Sequence, residues 1–145
     1  MAAGSTETMR QQAAALPVPR GDLWEIPFAA DDLYELRQLL TGWAAREALG
    51  TDAIDDLVLS VHEIATNSVR HGGGVGMLRM WRTADTLVCE IQDAGYMRDP
   101  EAGRVLPGAS PAEGRGLWIA NQLCDRVEVR SGRRGTQVRM HKRLV

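Results

Sequence analysis

The apolar and polar positions of this chain change period several times, and each change marks an element. Residues Met1 to Arg20 carry no period: they are rich in Ala, Gln, Ser and Thr and end in Leu16-Pro17-Val18-Pro19. That composition offers little apolar area against the entropy of ordering, so residues 1–20 read as a flexible arm and residues 21–145 as the folded domain. Trp24, Ile26 and Phe28 then alternate with Glu25 and Pro27, the period of a short strand, with Pro27 easiest to place at a sheet edge. From Asp31-Asp32 to about Leu49, the residues Leu33, Leu36, Leu39, Leu40, Trp43 and Ala44 recur at three- and four-residue spacing. This predicts an amphipathic helix that Gly50 stops. Thr51 reads as the N-cap of a second helix with Asp52, Asp55 and Asp56 in its first turn. Its apolar positions Ile54, Leu57, Val58, Val61, Ala65 and Ser68 continue to Gly72.

Val75 to Arg82 and Thr86 to Gln92 are strand-like runs around Thr83-Ala84-Asp85, a hairpin length. Ala94 to Arg115 is rich in Gly and Pro without an apolar period, and long loops of this kind inside a domain are lids or disorder. Leu117, Ile119, Ala120 and Leu123 predict a third helix. Arg126–Arg130 and Gly135–Lys142 predict two closing strands around Ser131-Gly132-Arg133-Arg134. Three helices are too few for one crossover per strand, so the expected fold class is α+β: a mixed, mostly antiparallel sheet covered by helices on one face.

Bulk properties narrow the function classes. With 145 residues, one core suffices. The chain is 44% hydrophobic and 25% charged, ordinary for a globular protein, and no window approaches the about 18 apolar residues of a membrane span. The net charge of −2 argues against direct nucleic-acid binding, although Arg126 to Arg143 is locally basic. Cys89 and Cys124 lie in apolar runs without metal-type spacing and read as buried core residues. They suit a reducing compartment, and with no secretory leader pattern the expected localisation is cytoplasmic.

On the second helix Glu63, Asn67 and His71 stand at i, i+4 and i+8, so they line one polar stripe away from the apolar sector. Spacing alone reads more readily as a solvated helix face. Asp93 follows a predicted strand and precedes Ala94-Gly95, where the backbone can approach a ligand and a carboxylate can accept from an exocyclic amine; the tripeptide by itself is also an ordinary turn. Gly114-Arg115-Gly116-Leu117 enters a helix, whose free N–H groups and dipole favour phosphate. Gly135-Thr136 opens the last strand.

The order of these four features resembles the GHKL (Bergerat) superfamily of ATP-binding proteins. Glu63, Asn67 and His71 resemble its N-box, Asp93-Ala94-Gly95 its first glycine box, Gly114-Arg115-Gly116-Leu117 its second, and Gly135-Thr136 its final glycine-threonine. Within it, the short chain and Gly116-Leu117-Trp118-Ile119-Ala120 leading to Cys124-Asp125-Arg126-Val127-Glu128-Val129 look most like the anti-sigma-factor serine kinases. The resemblance implies a two-layer α/β sandwich that binds ATP and Mg²⁺. Glu63 would be the general base for a serine hydroxyl, Asn67 the Mg²⁺ ligand, and Asp93 the acceptor from the adenine amine, supported by Thr136. Gly114 and Gly116 would bring backbone donors to the phosphates, with Arg115 beside them and Ala94–Glu113 as lid. His71 would either polarise the phosphate end or cap its helix. The implied partners are a sigma factor and an anti-anti-sigma (STAS) protein, and a homodimer through the edge formed by Trp24 to Phe28 is expected.

One departure from the family pattern is Tyr96-Met97, where a second glycine would stand two residues after Gly95. Losing it removes backbone freedom beside the nucleotide. The alternative reading is therefore a non-catalytic or degenerate module that sequesters its partner, or the ATPase part of a larger sensor. His62-Glu63 superficially resembles a histidine-kinase phosphoacceptor, but Asn67 stands where a proline would be and no long dimerisation hairpin is present, so His62 reads as structural or surface. A P-loop, a nucleophile elbow and a zinc signature are all missing from the sequence.

Overall fold

The alternating runs become strands and the two long periodic runs become helices, at nearly the expected places. A computed structural model describes residues 5–9, 16, 21–95 and 114–144. The elements are β1 Ser5–Met9, β2 Trp24–Ala29, α1 Leu33–Arg46 after a 3₁₀ turn at Ala30–Asp32, α2 Thr51–His71, β3 Val75–Arg82, β4 Thr86–Asp93, α3 Gly114–Leu123, β5 Arg126–Gly132 and β6 Gly135–Arg143. The six strands form one sheet in the order β1-β5-β6-β4-β3-β2, antiparallel throughout except for the parallel β1–β5 pair. The α+β, mostly antiparallel architecture expected from the sequence is the one observed.

β1 corrects the reading of residues 1–20 as a flexible arm, because Ser5–Met9 pairs along the whole of Arg126–Arg130. Leu16 is buried, and its N–H donates to Gln137 Oε1 at 3.1 Å. Pro27 sits on β2 at the sheet edge, as its missing N–H requires.

Strand side chains alternate between two faces. Phe28, Leu78, Met80, Leu87, Cys89, Ile91, Val127, Val129, Val138 and Met140 point to one side and form a single core with Leu36, Leu40 and Trp43 of α1, Leu57, Val61 and Ile64 of α2, and Leu117 and Ala120 of α3. Every apolar position expected on α2 is buried, including Ser68. On α1 the stripe is narrower than expected: Leu39 is half exposed at 50%, and Leu36, Leu40, Trp43 and Ala44 alone are buried. Burial holds the Cys89 and Cys124 thiols well above their ordinary range, with Cys124 raised to about 11.

The end of α1 also departs from expectation. Gly50 does not stop it. Ala48 does so in the left-handed region at φ 66°, with Ala48 N–H bonded to Ala45 O and Leu49 N–H to Ala44 O, each at 3.0 Å. This is the Schellman arrangement with alanine where glycine is usual, at a cost of about 1 kcal/mol. Gly50 instead stands as N-cap of α2, where its carbonyl accepts from Ile54 N–H. At the far end of the domain Lys142 Nζ caps the C-terminus of α3 through Leu123 O at 2.5 Å and reaches Asp56 Oδ2 at 3.3 Å. Among the described residues no helix is long and apolar enough to cross a membrane.

Candidate functional site

On the helix-facing side of the sheet the last cross-strand row breaks the apolar pattern. Ile91 pairs with Val138 and Val138 with Val129, but one step on, Asp93 pairs with Thr136 and Thr136 with Ser131. This polar row lies beneath the C-terminal half of α2. Ser68 Oγ donates to Asp93 Oδ2 at 2.6 Å and Gly95 N–H to Asp93 Oδ1 at 2.8 Å. Thr136 Oγ1 donates to Gly95 O at 2.9 Å, and since its single proton is used there, Ser131 Oγ, 2.7 Å away, is the donor to Thr136 Oγ1.

Glycines make this close approach feasible. A Cβ at Gly72 would strike the Asp93 carboxylate, and one at Gly95 would lie 2.6 Å from Gly72 Cα and 2.9 Å from His71 O. Gly135, at φ 115°, has no room for a side chain against Asp93 O. Burial raises the pKa of Asp93, while the Ser68 hydroxyl and the Gly95 N–H pull it back by bonding the ionised form.

The second part of the site lies where α3 meets α2. Gly114, Arg115, Gly116 and Leu117 were expected to lead into the helix and instead form its first turn. Gly116 packs so closely on α2 that a Cβ there would be 2.7 Å from Asn67 Nδ2 and 3.5 Å from Glu63 O. The first N–H groups of α3, which have no helical acceptor, therefore start next to the Asn67 amide. Glu63 and Asn67 are half-buried, yet among the described residues neither side chain makes a hydrogen bond or ion pair.

The structure thus gathers the expected residues into two linked groups, Asp93 with Gly95 and Thr136, and Asn67 with Gly116. His71 ends α2 with its side chain exposed, and only its carbonyl meets Gly95. Arg115 is exposed. Leu117 is fully buried in the core, so its backbone is all that it can offer a ligand. The expected lid lies, from Tyr96 to Glu113, outside the described residues.

Three contributors escape a reading by period. Ser68 falls on the buried stripe of α2 and counts there as one more small residue, Gly72 reads as a helix stop, and Ser131 as a turn residue. The available signal was a lone hydroxyl beside Asn67 on an otherwise apolar stripe.

Chemically, a carboxylate with one lone pair still open on each oxygen fits an exocyclic amine. Free N–H groups beside an unpaired amide fit phosphate oxygens and a hard cation. Among the described residues the Asn67 amide has no hydrogen-bond partner, and its oxygen is of the kind that ligates Mg²⁺.

Comparison with known proteins agrees with this geometry. The chain resembles in fold the structure described as the SiaB-SiaC complex from Pseudomonas aeruginosa, with a TM-score of 0.62 and 10% identity over 82% of this chain and 87% of that one. Among curated proteins none matches. The model of the histidine kinase-like ATPase domain matches residues 26–142, from the third residue of β2 to the last but one of β6, and by that match the chain belongs to the histidine kinase-like ATPase family.

Proposed function

We propose that this protein binds ATP with Mg²⁺ and acts as an anti-sigma-factor serine/threonine kinase, binding a sigma factor and phosphorylating a serine of a STAS-type antagonist. The observation that carries the reading is the pair of half-buried polar side chains on α2, Glu63 and Asn67, beside the N-terminus of α3 and without partners among the described residues. Two half-buried polar side chains one helical turn apart, with hydrogen-bonding capacity still open among the described residues, suit a ligand that carries phosphate and a hard cation. The likeness in fold to a complex with SiaB supports a protein partner.

In this reading Asp93 accepts from the adenine amine, and Thr136 acts on the nucleotide indirectly, by holding Gly95. The Gly114–Gly116 backbone meets the phosphates. Asn67 holds Mg²⁺, which when bound neutralises phosphate charge. Glu63, one turn before Asn67 on the same stripe, takes the proton of the attacking serine hydroxyl. Phosphoryl transfer depends chiefly on position and electrostatics, so Glu63 contributes most through its orientation beside that hydroxyl. In the same reading the protein works in the cytoplasm as a homodimer through the edge of β2, a pairing supported by the exposed Trp24 on that edge strand.

Tyr96-Met97 in place of the second glycine favours a second reading, a regulatory nucleotide module that sequesters its partner by contact. Transfer of label from γ-labelled ATP to a STAS-type antagonist separates the two. The kinase reading expects serine phosphorylation by the native chain and none by Glu63→Ala, with ATP affinity unchanged. Transfer by Glu63→Ala at the native rate removes the base role, and ATP binding without any transfer by the native chain favours the regulatory module.

A further inference from the structure

Ser68 is one of few polar side chains in the core, at 1% exposure, and it stands on the stripe that α2 presents to the sheet. Its hydroxyl does not turn back to the helix, as Ser60 and Thr66 do by donating to Asp56 O and His62 O. It crosses to β4 and donates to Asp93 Oδ2 at 2.6 Å. With Gly95 N–H on Oδ1 at 2.8 Å, each carboxylate oxygen has one donor among the described residues, and a carboxylate oxygen can accept a second. The plane of the carboxylate is then set from both sides, by a helix and by the strand end.

We propose that Ser68 is a positioning residue for base selection: its hydroxyl keeps Asp93 oriented and ionised, so that the site prefers a purine with a 6-amino group over one with a 6-oxo group. This rests on the reading of the pocket as a nucleotide site. An ionised, fixed carboxylate accepts from an amine and repels the oxo group of hypoxanthine. A protonated or rotated one does not discriminate. Burial favours the protonated form of Asp93, and Ser68 is the larger of the two opposing influences. Among the described residues no charged group shares in that balance. β6 offers Thr136, the Gln92 side chain of β4 turns to Glu90 on the other face, and on α2 Arg70 and His71 are both exposed.

The test compares binding of ATP and of inosine triphosphate, each with Mg²⁺, by calorimetry from pH 5 to pH 8, for the native chain, Ser68→Ala and Ser68→Thr. The native chain is expected to prefer ATP. Ser68→Ala should lose about tenfold in ATP affinity, the order of one charge-assisted hydrogen bond, while its affinity for inosine triphosphate stays within about twofold, so that the preference collapses. The loss of ATP affinity on acidification should also begin at higher pH in Ser68→Ala, because removing a donor to the ionised form raises the pKa of Asp93 further. Ser68→Thr keeps the hydroxyl and should restore preference and pH profile. Equal weakening of both nucleotides in Ser68→Ala, or a preference and pH profile identical to the native chain's, overturns the proposal. A native chain that binds neither triphosphate at millimolar concentration removes the nucleotide site itself, and the role of Ser68 falls with it.

Discussion

On the face of the sheet turned away from the helices, Glu90 is wholly buried, and it is met by Arg139 Nε at 2.7 Å, Gln92 Nε2 at 2.7 Å and Arg79 Nη1 at 3.3 Å. On the helix side, Glu63 and Asn67 are half-buried, and among the described residues their side chains make no hydrogen bond or ion pair. The outer face continues this pairing in register across the sheet: Glu25, Arg79, Glu90, Arg139 and Glu128 lie on successive strands, one opposite the next. Arg79 Nε reaches Glu25 at 3.2 Å, Glu128 bonds His141 at 2.7 Å, and the Arg139 guanidinium lies 4.7 Å from the centre of the Trp81 ring. Both regions are polar, the first buried and the second half-buried. They differ in whether, among the described residues, the polar groups have found each other, and in the proposed reading that difference separates a structural ladder from a nucleotide site.

Removing one member from the ladder should have the largest effect. Glu90→Ala leaves Arg79 and Arg139 buried without their carboxylate and should lower the unfolding free energy by about 3–5 kcal/mol, read from the urea midpoint. A loss below about 1 kcal/mol would mean that the ladder is wetter than its burial indicates.

Asn67→Ala removes a group with no partner to lose. Its stability should change by no more than about 0.5 kcal/mol, while Mg²⁺-dependent ATP affinity falls about 10- to 100-fold, the range for a lost bond to a charged group. A large destabilisation with unchanged ATP affinity would place Asn67 with the structural residues and erase the contrast.

The smallest effect is one of pH. The hydrogen bond from His141 lowers the pKa of Glu128, against the opposing effect of burial and with help from Arg126 and Arg139. A carboxylate depressed in the folded state contributes stability above its unfolded pKa of about 4.3 and loses it as pH falls through the lower folded value. Unfolding followed between pH 6 and pH 3 should therefore show a shallower acid loss in His141→Gln than in the native chain. Identical acid limbs would indicate that the pair does not form in solution.

What the sequence discloses follows from the range of the forces involved. The 21 residues of α2 repeat their period often enough that its buried face, and hence its polar stripe, could be read directly. Strands β3 to β6 declared themselves by alternation and by their turns. β1 did not, because its partner is 121 residues away at every position of the register, Ser5 with Arg126 and onward, and no local period encodes a parallel partner at that distance. The helix stop at Ala48 was hidden because packing of Leu49 into the core overrides the weak local preference for glycine. Arg126 to Arg143 read as a basic stretch, since its acidic counterparts on β4 come from a distant part of the chain. At the site, Asn67, Asp93, Gly95, Gly116 and Thr136 were legible through a shared motif order. Ser68 and Ser131 were not, since each acts only through a residue that folding brings to it.

The contrast between satisfied and waiting polar groups is tested most directly by titrating the native chain with ATP, with and without Mg²⁺, in an isothermal calorimeter. The account predicts saturable binding that depends on Mg²⁺. Absence of binding up to millimolar ATP would contradict it and leave Glu63 and Asn67 as a solvated stripe on α2.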